Sequence, residues 1–195
     1  MILAYSYEDA NGKYHYPDDV EERDGAWFVK ATGAPVKTQI EKMSKSLMNV
    51  VNPNDVVDQY GADALRLYEM FMGPLDQVKP WQTAGVGGVA RFLERVWRLY
   101  VDEESDALRL AASVTPEVNR ALNVAIKEAT EGIEAMRFNT PIAKMMELVN
   151  ACKGAPLTRD AAERLLLILH PWAPHIAEEL WRRLGHSASI YGHPW

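Results

Sequence analysis

An α+β fold, mainly α, is predicted by three features of the sequence. Short aromatic and β-branched segments separated by turn residues fill the first forty positions. Long apolar stripes at helical spacing follow from residue 84 onward, and the connections between them are short. The expected order is a small β-rich unit over 1–40, a lysine–serine loop with connecting helices over 41–83, and an antiparallel helical bundle over 84–195.

In the β-rich unit, turn signals at Asn11-Gly12, Asp24-Gly25 and Gly33-Ala34-Pro35 separate segments such as Lys13 to Tyr16 and Ala26 to Lys30. AWFVK is aromatic and β-branched, as a strand requires, and the unit is expected to end near Val36. After the loop, Asn52 or the Asn54-Asp55 pair caps a short helix through Val56, Val57 and Tyr60 that Gly61 ends. A second helix from about Ala62 to Phe71 places Ala64, Leu67, Tyr68 and Phe71 on one side, and Gly73-Pro74 stops it.

The bundle begins with the stripe Val89, Phe92, Val96, Leu99 and Tyr100. Thr115-Pro116 reads as a cap followed by proline at the first helical position, and opens the stripe Val118, Leu122, Ala125, Ala129, Ile133, Met136. Ile142, Met145, Met146, Val149 and Cys152 form a third stripe. A fourth helix starts near Thr158 with Ala161, Leu165, Ile168 and Leu169, and a last one runs from Pro174 to Leu184, ended by Gly185. Short connections favour antiparallel neighbours, which bury each other's stripes directly.

With 21 Lys and Arg against 27 Asp and Glu, the net charge of -6 provides no global field to collect nucleic acid, so any RNA contact must come from local patches. The acidic excess lies early, at Asp18, Asp19, Glu21, Glu22 and Asp24, which leaves the bundle near neutral. Cys152 is the only cysteine, excluding an internal disulfide or a cysteine-cluster zinc site within the chain. No run approaches the roughly eighteen apolar residues of a membrane span, and MILAYSYED turns polar too soon for a signal peptide. A monomeric cytoplasmic protein without membrane contact is expected.

The chemistry-bearing stretch is EKMSKSLMN, residues 41–49. By composition alone, a two-lysine loop is a solvated surface. In a site, the ammonium groups of Lys42 and Lys45 neutralise charge on a leaving pyrophosphate, and the small hydroxyls of Ser44 and Ser46 let the loop approach phosphate oxygens. The GxxxxGK[ST] spacing of a nucleotide hydrolase is absent. His15, His170, His175, His186 and His193 lack metal-ligand spacing, so no metal site is expected; His170 and His175 suit packing or capping at a helix corner. Arg91, Arg95 and Arg98 share a helix face beside Trp97 and serve either solubility, with Glu94 as a neighbour, or RNA backbone contact. Arg182 and Arg183 suit the negative end of the last helix, and Cys152, Met136 and the Met145-Met146 pair read as core.

Lys42-Met43-Ser44-Lys45-Ser46 resembles the second signature of class I aminoacyl-tRNA synthetases, and NVVNPNDVVDQYGADALRLYEMFMGP extends the likeness into the leucyl-tRNA synthetase pattern. Residues 81–99, Phe138-Asn139-Thr140-Pro141 and His170 through Trp181 (HPWAPHIAEELW) carry it further, so it covers nearly the whole chain. The resemblance implies an enzyme that joins leucine to ATP with Mg2+, releases pyrophosphate, and passes the leucyl group to leucine tRNA. It assigns Lys45 the strongest stabilisation of the pyrophosphate, Lys42 assistance, and Ser44 and Ser46 the shaping of the loop. Residues 1 to about 40 resemble the family's small leucine-specific insertion, about 47–80 its connecting helices, and about 84–195 its anticodon-binding-type bundle, with Arg91, Arg95 and Arg98 as candidate RNA contacts.

Two departures stand out. Leu47-Met48 occupy positions where the family often has lysine or arginine and then glycine, while Asn49 is retained. The family's first signature, His-Ile-Gly-His, does not occur in the sequence, nor do the strands of the leucine pocket. A C-terminal portion acting with the remainder of the synthetase is therefore expected, inactive and without tightly bound cofactor when isolated. The alternatives are a stand-alone tRNA-binding module and a helical scaffold for partner proteins.

Overall fold

The computed structural model describes residues 2–194. The chain forms two units, one of residues up to Val56 together with Asp76–Thr83, the other of Val57–Leu75 together with the chain from Ala84 onward. No helix among the described residues is long and apolar enough to cross a membrane.

The first unit is a six-stranded sheet of β1 (Ile2–Asp9), β2 (Tyr14–His15), β3 (Val20–Arg23), β4 (Ala26–Val29), β5 (Pro35–Lys42) and β6 (Lys79–Pro80). The antiparallel order is β2-β1-β5-β4-β3, and β6 lies parallel to β1. β1 and β5 pair from Leu3 opposite Lys42 to Asp9 opposite Val36. The β1–β2 hairpin closes at Asn11-Gly12, where Asp9 Oδ1 accepts from the Asn11 and Lys13 amides and Asp9 Oδ2 meets His15 Nε2 at 3.0 Å. The imidazole bond to His15 and these amide bonds hold the Asp9 carboxyl below its ordinary range. Asp24 and Gly25 both take left-handed φ, 51° and 81°, the tight-turn geometry that matches strand twist between β3 and β4. Tyr7 packs on Trp27 with ring centroids 4.9 Å apart, and Ala4, Val20 and Val29 complete a small buried patch.

The structure corrects the expectation that the β-rich unit ends near Val36. β5 continues to Lys42 because β1 offers it a full-length partner, a long-range pairing that the polar run Lys37, Thr38, Gln39, Glu41 hides locally. β6 likewise had no strand signal of its own; Trp81, whose amide donates to the Leu3 carbonyl at 2.7 Å, ties it to the sheet.

After the loop comes α1 (Pro53–Tyr60), and Asn52 is its cap: Oδ1 accepts from the Asn54 amide at 3.1 Å and Nδ2 donates to Asp55. Gly61, at φ 88°, ends it, and α2 (Ala62–Phe71) follows with Ala64, Leu67 and Tyr68 buried. The second unit then adds α3 (Thr83–Tyr100), α4 (Pro116–Glu134), α5 (Asn139–Cys152), α6 (Arg159–Leu169) and α7 (Pro174–Arg183). Thr115 Oγ1 and Thr158 Oγ1 accept from the amides of Val118 and Ala161, the N-caps expected of them. The stripes Val89, Phe92, Val96 and Leu99, then Ile142, Met145 and Val149, then Leu165, Ile168 and Leu169 are all buried.

Gly132 lets α4 meet the start of α5. A Cβ there would lie 2.5 Å from Pro141 Cγ. The Tyr100 hydroxyl donates to the Ala162 carbonyl at 2.8 Å inside the core, and burial pushes its pKa well above the ordinary phenol value. Cys152 is buried as expected, its thiol pushed up to about 11 by desolvation.

Candidate functional site

The lysine–serine loop leaves the sheet at the end of β5. Lys42 is the last residue of that strand, opposite Leu3, and its side chain is exposed. Ser44 is extended, at φ -149° and ψ 141°, and caps a single 3-10 turn, Lys45–Leu47. Its Oγ accepts from the Ser46 amide at 3.3 Å and lies 2.7 Å from Ser46 Oγ. The turn closes through Leu47 N–H to Ser44 O at 3.1 Å and Met48 N–H to Lys45 O at 3.2 Å. Asn49, buried, receives the Ser44 amide on Oδ1 at 2.8 Å. β2 lies against this turn.

Lys42, Ser44, Lys45 and Ser46 are thus brought together on a short segment with both ammonium groups in solvent. Neither lysine makes an ion pair or side-chain hydrogen bond among the described residues. Two unpaired, exposed cations on such a short segment can meet an anion arriving from outside the chain. Glu41 makes no ion pair with either lysine; its carboxylate accepts from the Ser6 hydroxyl on the neighbouring strand. Met48 sits at φ 53° and ψ 26°, the left-handed region where glycine fits without cost, so the departure at this position strains the turn.

The three candidate arginines stand on the exposed side of α3, in the other unit, and their situations differ. Arg95 donates to Asn150 Oδ1 at 2.6 Å, and Arg98 pairs with Glu103 at 2.9 Å, an interaction that raises its pKa. Arg98 therefore takes Glu103, with Glu94 a lesser charge, rather than relying on Glu94. Arg91 has no ion pair or hydrogen bond among the described residues. Trp97 is half-buried, with the Arg183 guanidinium 4.9 Å above its ring. Arg183 also bonds Asp106 and Glu179, which raise its pKa, and Arg182 pairs with Glu178.

Sequence reasoning missed Asp63. This buried carboxylate on α2 accepts from the His175 amide at 3.2 Å, the Ile176 amide at 2.8 Å and, at 2.7 Å, meets His175 Nδ1. It caps α7 from another helix, satisfying two N-terminal amides at the positive end of the helix dipole. Arg66, three residues along α2, donates to the Pro171 carbonyl at 3.2 Å. The usable signal was Asp63 four residues before Leu67, an acid on the apolar face. The cap at this corner is therefore Asp63 and not His175, whose amide is among those capped and whose imidazole meets the same carboxylate; the pKa of His170 is lowered mainly by burial.

Two family models match the chain. The one described as tRNA synthetases class I (I, L, M and V) covers residues 28–79, and the one described as the anticodon-binding domain of tRNA ligase covers residues 117–195. A loop on a sheet followed by such a bundle defines a portion of a class I aminoacyl-tRNA synthetase. The fold of a Mycobacterium tuberculosis methionyl-tRNA synthetase agrees, with TM-score 0.51 over 92% of this chain and 70% of that one at 7% identity.

Relatives at higher identity narrow the class. A leucine–tRNA ligase of Rhizobium johnstonii is 54% identical over all of this chain and 23% of its own length, and one from Salinispora arenicola is 48% identical over 97% and 20%. A crystal structure of an Agrobacterium radiobacter LeuRS in ternary complex with tRNA and LeuAMS superposes with TM-score 0.63 and 30% identity, covering 80% of this chain and 22% of that one. The chain belongs to the leucine–tRNA ligase family and spans about a fifth of the length of the curated relatives it matches.

Proposed function

We propose that this chain supplies the pyrophosphate-stabilising loop and the tRNA-supporting bundle of a leucine–tRNA ligase. The whole enzyme uses ATP with Mg2+ to activate leucine and transfers the leucyl group to leucine tRNA, acting as a cytoplasmic monomer. The carrying observation is the pair of exposed, unpaired lysines on the Ser44-capped turn, set in a chain that matches leucine–tRNA ligases from end to end. Lys45, on the turn itself, meets the charge that develops on the departing pyrophosphate; Lys42, on the strand end, assists; Ser44 and Ser46 hold the turn narrow. Such groups accelerate activation only through the charge they meet more strongly in the transition state than in bound ATP. Arg91, the least committed cation of α3, is the first candidate for a tRNA backbone contact, ahead of Arg95 and Arg98.

The groups that hold adenine and leucine lie outside this chain's motifs, so the loop acts together with the remainder of the synthetase. Titration of the purified chain with leucine tRNA and an unrelated tRNA, at low and moderate salt, tests this. Weak binding, alike for both and erased by moderate salt, is the expected result. Submicromolar binding that prefers leucine tRNA would instead make the chain a self-sufficient tRNA-binding module.

A further inference from the structure

Asn49 stands at the foot of the loop with 1% of its surface exposed. A backbone N–H can only donate, so the Asn49 atom 2.8 Å from the Ser44 amide must be the carbonyl oxygen Oδ1. That orientation leaves Nδ2 buried without a hydrogen-bond partner. A buried amide donor in that condition has lost water and gained nothing, which native interiors avoid unless the group has work in another arrangement. The loop above it is lightly held: a single 3-10 turn, ended by Met48 in a left-handed conformation that a side chain disfavours.

We infer that Asn49 is a positioning residue that sets the loop between two arrangements. In the resting one, Oδ1 holds the Ser44 amide. In the one engaged with polyphosphate, Nδ2 takes up a backbone carbonyl of the loop and fixes Lys45 against the pyrophosphate. The inference rests on the pyrophosphate role given to Lys45 above. Asn49 touches no substrate atom; it acts through the backbone between Ser44 and Lys45. The orphan donor raises the free energy of the resting loop, and its new bond lowers that of the engaged one. Both effects shift the population toward engagement once phosphate draws the lysines in.

The test is leucine-dependent ATP–pyrophosphate exchange by the complete ligase, with hydrogen exchange at the Ser44 amide in the free enzyme, for Asn49→Asp, Asn49→Ala and Lys45→Ala. Asn49→Asp keeps the acceptor and removes the donor. Ser44 protection should therefore stay at the parent level while kcat falls about 100-fold and KM for ATP moves less than about 2-fold. Asn49→Ala should lose both protection and kcat. Parent-level kcat in Asn49→Asp overturns the inference, as does loss of Ser44 protection alongside kcat in that variant, which would make Asn49 an anchor only. Lys45→Ala separates the two levels. If exchange survives that substitution, the loop's role itself is wrong and the Asn49 inference goes with it; if exchange falls while Asn49→Asp remains active, only the Asn49 inference fails.

Discussion

The sheet unit and the helical unit are held together by different means. In the helical unit, long stripes from Val86 to Tyr100, Ile142 to Cys152 and Ala161 to Leu169 are buried almost without interruption. In the sheet unit the buried apolar set is short, and two of its most enclosed residues, Ser6 and Asn49, are polar. The helices are stabilised by area removed from water, the loop by a few directed hydrogen bonds. The difference teaches where motion is available: a segment held by an amide, a hydroxyl and one turn can rearrange locally, whereas a packed stripe moves only with its neighbours.

Substitutions should divide along that line. The largest stability loss is expected from Asp63→Ala, which strips α7 of its cap and leaves the His175 and Ile176 amides unanswered. A cost of about 2 kcal/mol is expected, read as a lower urea midpoint at unchanged slope. An unchanged midpoint would mean that the cap is redundant. Next in size is a pH effect from Cys152. Its folded pKa is raised from 9.0 to about 11, so its contribution is complete below pH 9 and declines as pH rises toward 11, because the unfolded chain loses the thiol proton first. Stability of Cys152→Ala measured across that window should decline less than the parent's. The smallest effect belongs to the loop. Met48→Gly removes left-handed strain but frees the unfolded chain, for a net gain under about 1 kcal/mol. A clear loss there would show that the Met48 side chain, rather than its backbone, holds the turn.

The same contrast governs what the sequence revealed. The helical unit was largely legible, because 3.6-residue periodicity, Thr115 and Thr158 caps, and the stops at Gly61 and Gly185 are local signals; Met136, read into the second stripe, instead lies past the end of α4 and is exposed. The full length of β5 was not, since the mostly polar Pro35–Lys42 becomes a strand by pairing with Ile2–Asp9 across the chain. The loop's residue types were legible from the KMSKS run and its resemblance. Its support was not: Asn49 looks like any surface asparagine until burial is known. In the helical unit, Asp63 could be marked as an acid on an apolar face, but its partner shows only when α7 is seen resting on it. Directed polar contacts between distant segments leave little trace in a local pattern.

The central claim, that the loop serves activation while the bundle serves tRNA, is tested most directly by measuring two quantities on one variant. Lys45→Ala in the complete ligase should lower kcat for leucine-dependent ATP–pyrophosphate exchange about 100- to 1,000-fold, with little change in KM for ATP, and leave the Kd for leucine tRNA within about 2-fold of the parent. Parent-level exchange, or a tRNA affinity that collapses together with exchange, would contradict that division.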